Sequence, residues 1–158
     1  GQKLRRPLHF YVAALRALDL LNVEVAYDDL AVLGQVPYEW LPPNGYPVTA
    51  TPWATTSGLN ARWNLAFELA SGASLGSEER MYTDLIDLID PAPTVIELVE
   101  NVSRRIYGRV LPTAQLTAFV DYASDKGGGS TPVTPQLLSR KLQGLFGLMI
   151  AAPQFQWV

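Results

Sequence analysis

The chain has 158 residues, of which 48% are hydrophobic and 17% charged, with a formal net charge of −3 and no cysteine. That profile suits one domain with a real core and excludes a disordered tail. An acidic balance without a basic stripe argues against nucleic-acid binding, missing thiols exclude disulfides and thiolate metal sites, and no apolar run is long enough for a membrane span.

Lys3, Arg5 and Arg6 lead into an amphipathic segment without a cleavage site, so no signal peptide is visible. Gly1-Gln2 reads as a cut linker, which makes the chain an expected fragment of something longer. PLHFYVAALRALDLLN, residues 7–22, opens on Pro7, suited to a first helical turn, and repeats apolar residues at helical spacing. Asp28 is placed to cap a short second helix that Gly34 ends in the left-handed conformation. A proline-rich loop follows. Thr55 or Thr56 then starts a third helix running to Ser71, with Gly72 as its stop and Leu59, Trp63, Ala66, Phe67 and Ala70 as its inner face.

Residues 77–90, SEERMYTDLIDLID, are ambiguous and are taken as a helix. Thr94 with Glu97 three residues on spells a capping box for the next helix, with Val95, Val99, Val102 and Ile106 as its stripe and Gly108 as its end. Another helix spans about 113–124. The link DKGGGSTP, read as flexible, leads to a long last helix over 135–152 that turns Leu138, Leu142, Leu145 and Met149 inward. No segment alternates with period two and no repeat has a fixed period. The expected fold is all-α, an irregular bundle of six or seven helices over residues 1–158 as a single domain, with one long loop rich in prolines and aromatics.

The short motifs point to no reaction. GASLG, residues 72–76, spells a nucleophile elbow around Ser74, but that turn needs a strand before it, and the only histidine, His9, precedes the serine. His9 lacks an acidic partner one turn on and reads as a half-buried packing or capping residue. Asp84, Asp87 and Asp90 lack the rhythm of a calcium loop and read as a solvated acidic edge. KGGGST, residues 126–131, has its lysine on the wrong side for a phosphate loop. NVS, residues 101–103, falls mid-helix, where a glycan acceptor is seldom presented. No catalytic set, cofactor or metal site emerges.

The loop LPPNGYPVTATPW, residues 41–53, carries the stronger signal. Tyr38, Trp40, Tyr46 and Trp53 surround Asn44 and Gly45, a pair that supplies a turn with positive φ. Aromatic faces beside a side-chain amide suit a glycan platform or a peptide groove. The competing reading turns the aromatics inward, as anchors that pin a long irregular loop.

Four stretches together resemble a bacterial family. They are KLRRPLHFYVAALRAL (3–18), LGQVPYEWLPPNGYP (33–47), WATTSGLNARWNLAFELA (53–70) and LLSRKLQGLFGLMIAAPQFQ (137–156). In that order they resemble the C-terminal part of the domain of unknown function 1800. The matching residues are Arg6, Pro7, Arg16, Gly34, Gln35, Pro37, Tyr38, Pro43, Gly45, Tyr46, Pro47, Trp53, Arg62, Asn64, Pro153 and Phe155. His9 and Ala54 depart from the pattern, where an acidic residue and a leucine are expected. The resemblance implies a protein about three times longer with an export signal, periplasmic or secreted, and implies no known reaction or cofactor.

Two functions follow as expectations. One is a non-catalytic interaction module that docks on its own missing N-terminal part, on a protein partner, or on a glycan, with Tyr38, Trp40, Asn44, Tyr46, Trp53, Arg62 and Asn64 as binding residues. The alternative is the C-terminal portion of an exported enzyme whose catalytic groups lie mainly upstream, with Arg16, Arg62 and Asn64 as substrate contacts. Against the second stands a plain expectation for the arginines: buried salt bridges, to Glu39 or Glu68.

Overall fold

A computed structural model of the protein describes residues 3–20, 26–72 and 85–157. Among these lie seven α-helices: α1 Pro7–Ala17, α2 Ala26–Val32, α3 Thr56–Ser71, α4 Val95–Tyr107, α5 Thr113–Ala123, α6 Pro135–Ala151 and α7 Pro153–Gln156. Two 3-10 turns, Thr51–Trp53 and Leu85–Leu88, complete the described secondary structure. The all-α expectation is met.

The long helix α6 is the axis of the core, buried through Leu142, Leu145, Phe146, Met149 and Ile150 and packed against α3, α4 and α5. Gly147 sets the closeness of α3 to α6, since a Cβ there would lie 2.6 Å from Cδ1 of Phe67. The stripe of α4 is buried as its spacing predicts, through Val95, Val99, Val102 and Ile106. Chain ends are tied together: the Arg5 amide donates to the Gln156 carbonyl at 2.8 Å, and Leu4 bridges Trp157. The Arg105 guanidinium donates to the carbonyls of Ala17 and Arg16 at the end of α1, at 2.8 and 3.1 Å, the latter also accepting from the Asp19 amide at 3.4 Å.

Capping chemistry explains most boundaries. The Thr55 hydroxyl accepts from the Gly58 amide at 3.1 Å, and Gly72 ends α3 with φ 70°. The Thr134 hydroxyl does the same for α6, with Pro135 in its first turn. Gly108 closes α4 with φ 69°.

Several expectations are corrected. Helix α1 stops at Ala17 rather than 22, because Asp19 takes φ 53° and breaks the helical path; Leu21 and Asn22 lie outside the described residues. Asp28 is no cap: α2 already runs from Ala26, so Asp28 and Asp29 occupy its first turn, where the helix dipole favours acids. Of the helix expected over 77–90, residues 77–84 lie outside the described residues, together with Asp84 and Ser74, and 85–88 form a 3-10 turn. Asp87 and Asp90 are exposed, in keeping with a solvated edge.

Thr94 precedes α4, yet its side chain caps nothing. The DKGGGSTP link caps the helix in its place, through the carbonyls of Thr131 and Gly129, which accept from the amides of Val95 and Ile96, both at 2.9 Å. The link is therefore held in place against α4 rather than being a free connection. Asp125, at its start, pairs with Lys141, and that hydrogen bond lowers the carboxyl below its ordinary value. His9 is exposed rather than half-buried, with Nε2 3.4 Å from Nη2 of Arg6.

The inner face of α3 is rotated from its expected position. Arg62, Leu65, Ala66, Leu69 and Ala70 are buried, whereas Trp63 and Phe67 remain 44% and 42% exposed. A cation has taken a core position, and two large rings have been left outside. Both outcomes bear on function.

Candidate functional site

The proline-rich loop folds as a clasp. The Trp40 and Tyr46 rings pack 4.7 Å apart, and Tyr46 lies 6.1 Å from Trp53. Their polar tips are spent inside the loop or on its neighbours. Tyr46 donates to the Val36 carbonyl at 2.7 Å, Trp53 to the Pro47 carbonyl at 3.0 Å, and Trp40 to Oδ1 of Asn44 at 3.3 Å. Gly45 takes φ 68°, as the Asn-Gly pair predicts, and turns the chain back under Trp40. Trp53 is buried and Tyr46 half-buried; Trp40 keeps an exposed edge. Tyr38 stands apart, fully exposed, with φ 69°.

Trp53 passes from this clasp into the wall of a second feature. A cavity of about 290 Å³ lies where the start of α1, the end of α2, the second 3-10 residue Pro52 and the first turn of α3 meet. Pro7, Leu33, Pro52 and Trp53 give it apolar walls, and Thr55, Ser57 and Arg62 give it polar ones. The side chain of Gln35 fixes the junction by accepting from the Leu8 amide at 3.0 Å.

Arg62 is 1% exposed. Its Nη1 donates to Oε1 of Gln156 at 3.0 Å, and its guanidinium lies 5.5 Å from the centroid of the Phe10 ring. Nη2 has no acceptor among the described residues. Burial pulls the group down to about 10, so it stays cationic at neutral pH. The expected salt bridges are not what holds the arginines. Arg62 is held by an amide, Glu39 accepts instead from the Tyr27 hydroxyl at 2.9 Å, and Arg16 is exposed in the last turn of α1.

A third feature is an apolar groove of about 560 Å³ between α3 and α6 that runs onto α7. Leu59, Trp63, Phe67, Phe119, Leu148 and Trp157 line most of it, and Gln156 sits at one edge. Trp157 is 38% exposed. The rings are held from below, because Phe67 rests on the bare backbone of Gly147.

Of the residues singled out from sequence, Trp40, Asn44, Tyr46 and Trp53 come together in the clasp, and Trp53 meets Arg62 in the cavity wall. Tyr38 and Asn64 are exposed and join neither. A family profile described as Protein of unknown function (DUF1800) matches residues 1–157. The chain belongs to this family. No curated protein and no solved structure matches it.

Five of the residues that carry the resemblance to the DUF1800 family, Pro7, Gly34, Tyr46, Trp53 and Arg62, lie at the clasp and cavity, whereas Arg16, Tyr38 and Asn64 are exposed away from them. Sequence reasoning missed Gln156, which holds Arg62, and the outward turn of Trp63 and Phe67. The signal for Gln156 was its place directly after Phe155 in the closing motif. Among the described residues there is no group of three or more His, Cys, Asp or Glu that could hold a metal ion, and no helix long and apolar enough to cross a membrane.

Proposed function

We propose that this chain is a helical interaction module whose docking face is the apolar groove of α3, α6 and α7. The observation that carries it is the joint exposure of Trp63, Phe67 and Trp157 along one groove with a single polar edge residue, Gln156. A contiguous apolar surface of this kind marks a partner's footprint, whereas singly scattered apolar residues do not. Glycan sites pair aromatic faces with several polar groups, and the groove has few. The clasp does pair them, but its rings face one another and its Asn44 amide is engaged by Trp40. A protein segment with an apolar face is therefore the favoured occupant.

The partner we favour is the one the family resemblance leads us to expect: the remainder of a longer, exported polypeptide, on which this module folds back. The test is acrylamide quenching of Trp63 and Trp157, in single-tryptophan variants, in this chain and in the longer protein. Shielding in the longer protein that is lost in Phe67→Asp supports docking. Equal quenching in both contexts sinks it. The alternative, a C-terminal portion of an exported enzyme, would need a ligand contact here, and the cavity at Arg62 is where one would lie.

A further inference from the structure

We propose that the cavity at Arg62 binds a small monocarboxylate, with the guanidinium and the first turn of α3 taking the carboxylate and the apolar wall taking its short stem. The starting point is an arginine in a core position with half its fork unused. A buried donor without an acceptor is a standing cost, and native folds satisfy nearly all of them. Here Nη1 is satisfied by Gln156, but Nη2 has no partner among the described residues. The groups that touch the guanidinium leave its charge in place, since Gln156 offers a neutral oxygen and Phe10 a ring face. Among the described residues, no acidic side chain lines the cavity. An unneutralised cation at the wall of an open cavity is an anion site in want of its anion.

The helix end adds to it independently. Helix α3 presents its N-terminal turn to the same cavity through Thr55, Ser57 and Gly58. The Gly58 amide is taken by the Thr55 hydroxyl and the Leu59 amide by the Thr55 carbonyl. The amides of Thr56 and Ser57, ahead of them, have no intrahelical acceptor, and the positive end of the helix dipole reinforces the guanidinium.

Charge and size then select the ligand. One buried and unpartnered guanidinium nitrogen, a helix end and the Thr55–Ser57 hydroxyl pair, whose oxygens lie 3.3 Å apart, match the two oxygens of a planar monoanion, whereas a phosphate dianion would bury a second charge without a second cation. Pro7, Leu33, Pro52 and Trp53 make the rest of the wall apolar, and about 290 Å³ leaves room for a stem of few carbons. The carboxylate belongs either to a free short-chain acid or to the C-terminus of a peptide. The two share their recognition chemistry. The site shares no wall residue with the docking groove, so either proposal can fail without the other.

The experiment titrates butyrate into the chain, following the Trp53 indole and Arg62 side-chain resonances by NMR and the heat by calorimetry. The comparators are butyramide, inorganic phosphate, and one tripeptide with a free or an amidated C-terminus. Butyrate should shift both resonances with a dissociation constant of about 1 mM or tighter, and butyramide and phosphate should bind at least about tenfold more weakly. Arg62→Gln, which retains a donor for Gln156, should abolish binding. Because a buried substitution can unfold the chain, Val32→Asp is the second variant. Val32 is exposed at the cavity rim, so the variant should fold normally and weaken butyrate by about tenfold or more through charge repulsion.

A tripeptide that binds more tightly than butyrate, and only with its free terminus, assigns the site to a polypeptide end. Butyrate binding without the peptide assigns it to a free acid. Butyramide equal to butyrate, phosphate tighter than butyrate, no shift at about 50 mM butyrate, or full affinity in Val32→Asp would each overturn the proposal.

Discussion

Two aromatic clusters in this chain use the same residue types to opposite ends. In the clasp, Trp40, Tyr46 and Trp53 pack ring against ring and turn their polar tips onto Val36, Pro47 and Asn44. On the groove, Trp63, Phe67 and Trp157 keep their faces exposed, and the indoles of Trp63 and Trp157 donate no hydrogen bond among the described residues. The tip of an aromatic side chain thus separates an anchor from a surface better than its position in loop or helix does. A loop must satisfy its own backbone polar groups, and the clasp aims an indole at the Pro47 carbonyl and a phenol at the Val36 carbonyl, which also accepts from the Glu39 amide at 3.3 Å. A helix satisfies its backbone by itself, so its outward rings are free for another use.

The sharpest way to break this contrast is to remove one ring from each cluster. Trp53→Ala should cost about 3–5 kcal/mol, since it deletes a buried ring and an indole donor together. Guanidinium denaturation of both variants checks it, and Trp63→Ala should lose far less. Equal losses would mean that the groove rings belong to the core. Gly147→Ala comes next, at about 1–3 kcal/mol, because the added methyl would lie 2.6 Å from Phe67 Cδ1. Adding Phe67→Ala to it should return most of that loss, giving a coupling that a double-mutant cycle measures. Additive losses would show that α6 is strained by the methyl itself.

The sequence made the helix ends legible and the helix faces less so. Thr55, Gly72, Gly108 and Thr134 act locally, through a side-chain oxygen or a left-handed backbone, so their roles can be read without knowing what packs where. The face of α3 could not be read that way. Both Leu59-Trp63-Ala66-Phe67-Ala70 and Arg62-Leu65-Ala66-Leu69-Ala70 run at helical spacing, and size and hydropathy favour the first. The second is the buried one, because Arg62 finds Gln156 at 3.0 Å, ninety-four residues along the chain, and no local pattern encodes that contact. For the same reason the loop aromatics were visible as a cluster while their directions were not. The box spelled by Thr94 and Glu97 failed for a further reason: the link before α6 supplies carbonyls to α4 from a distance.

Two smaller effects sharpen the contrast at the level of single atoms. Tyr46→Phe removes only the hydroxyl that donates to the Val36 carbonyl at 2.7 Å, and it should cost about 1 kcal/mol while leaving the ring stack with Trp40 in place. Trp63→Gln removes a whole indole, yet it should change stability by no more than about 0.5 kcal/mol, because the ring is 44% exposed and no described hydrogen bond rests on it. A single oxygen in the clasp would then matter more to the fold than a full indole on the groove. The same Trp63→Gln protein should bind less of an apolar dye such as anilinonaphthalene sulfonate, read by fluorescence at matched concentration. A fold indifferent to Trp63 and a surface that depends on it is what a docking face requires. A loss above about 2 kcal/mol would instead make the indole part of the α3–α6 packing, and the groove only its visible edge.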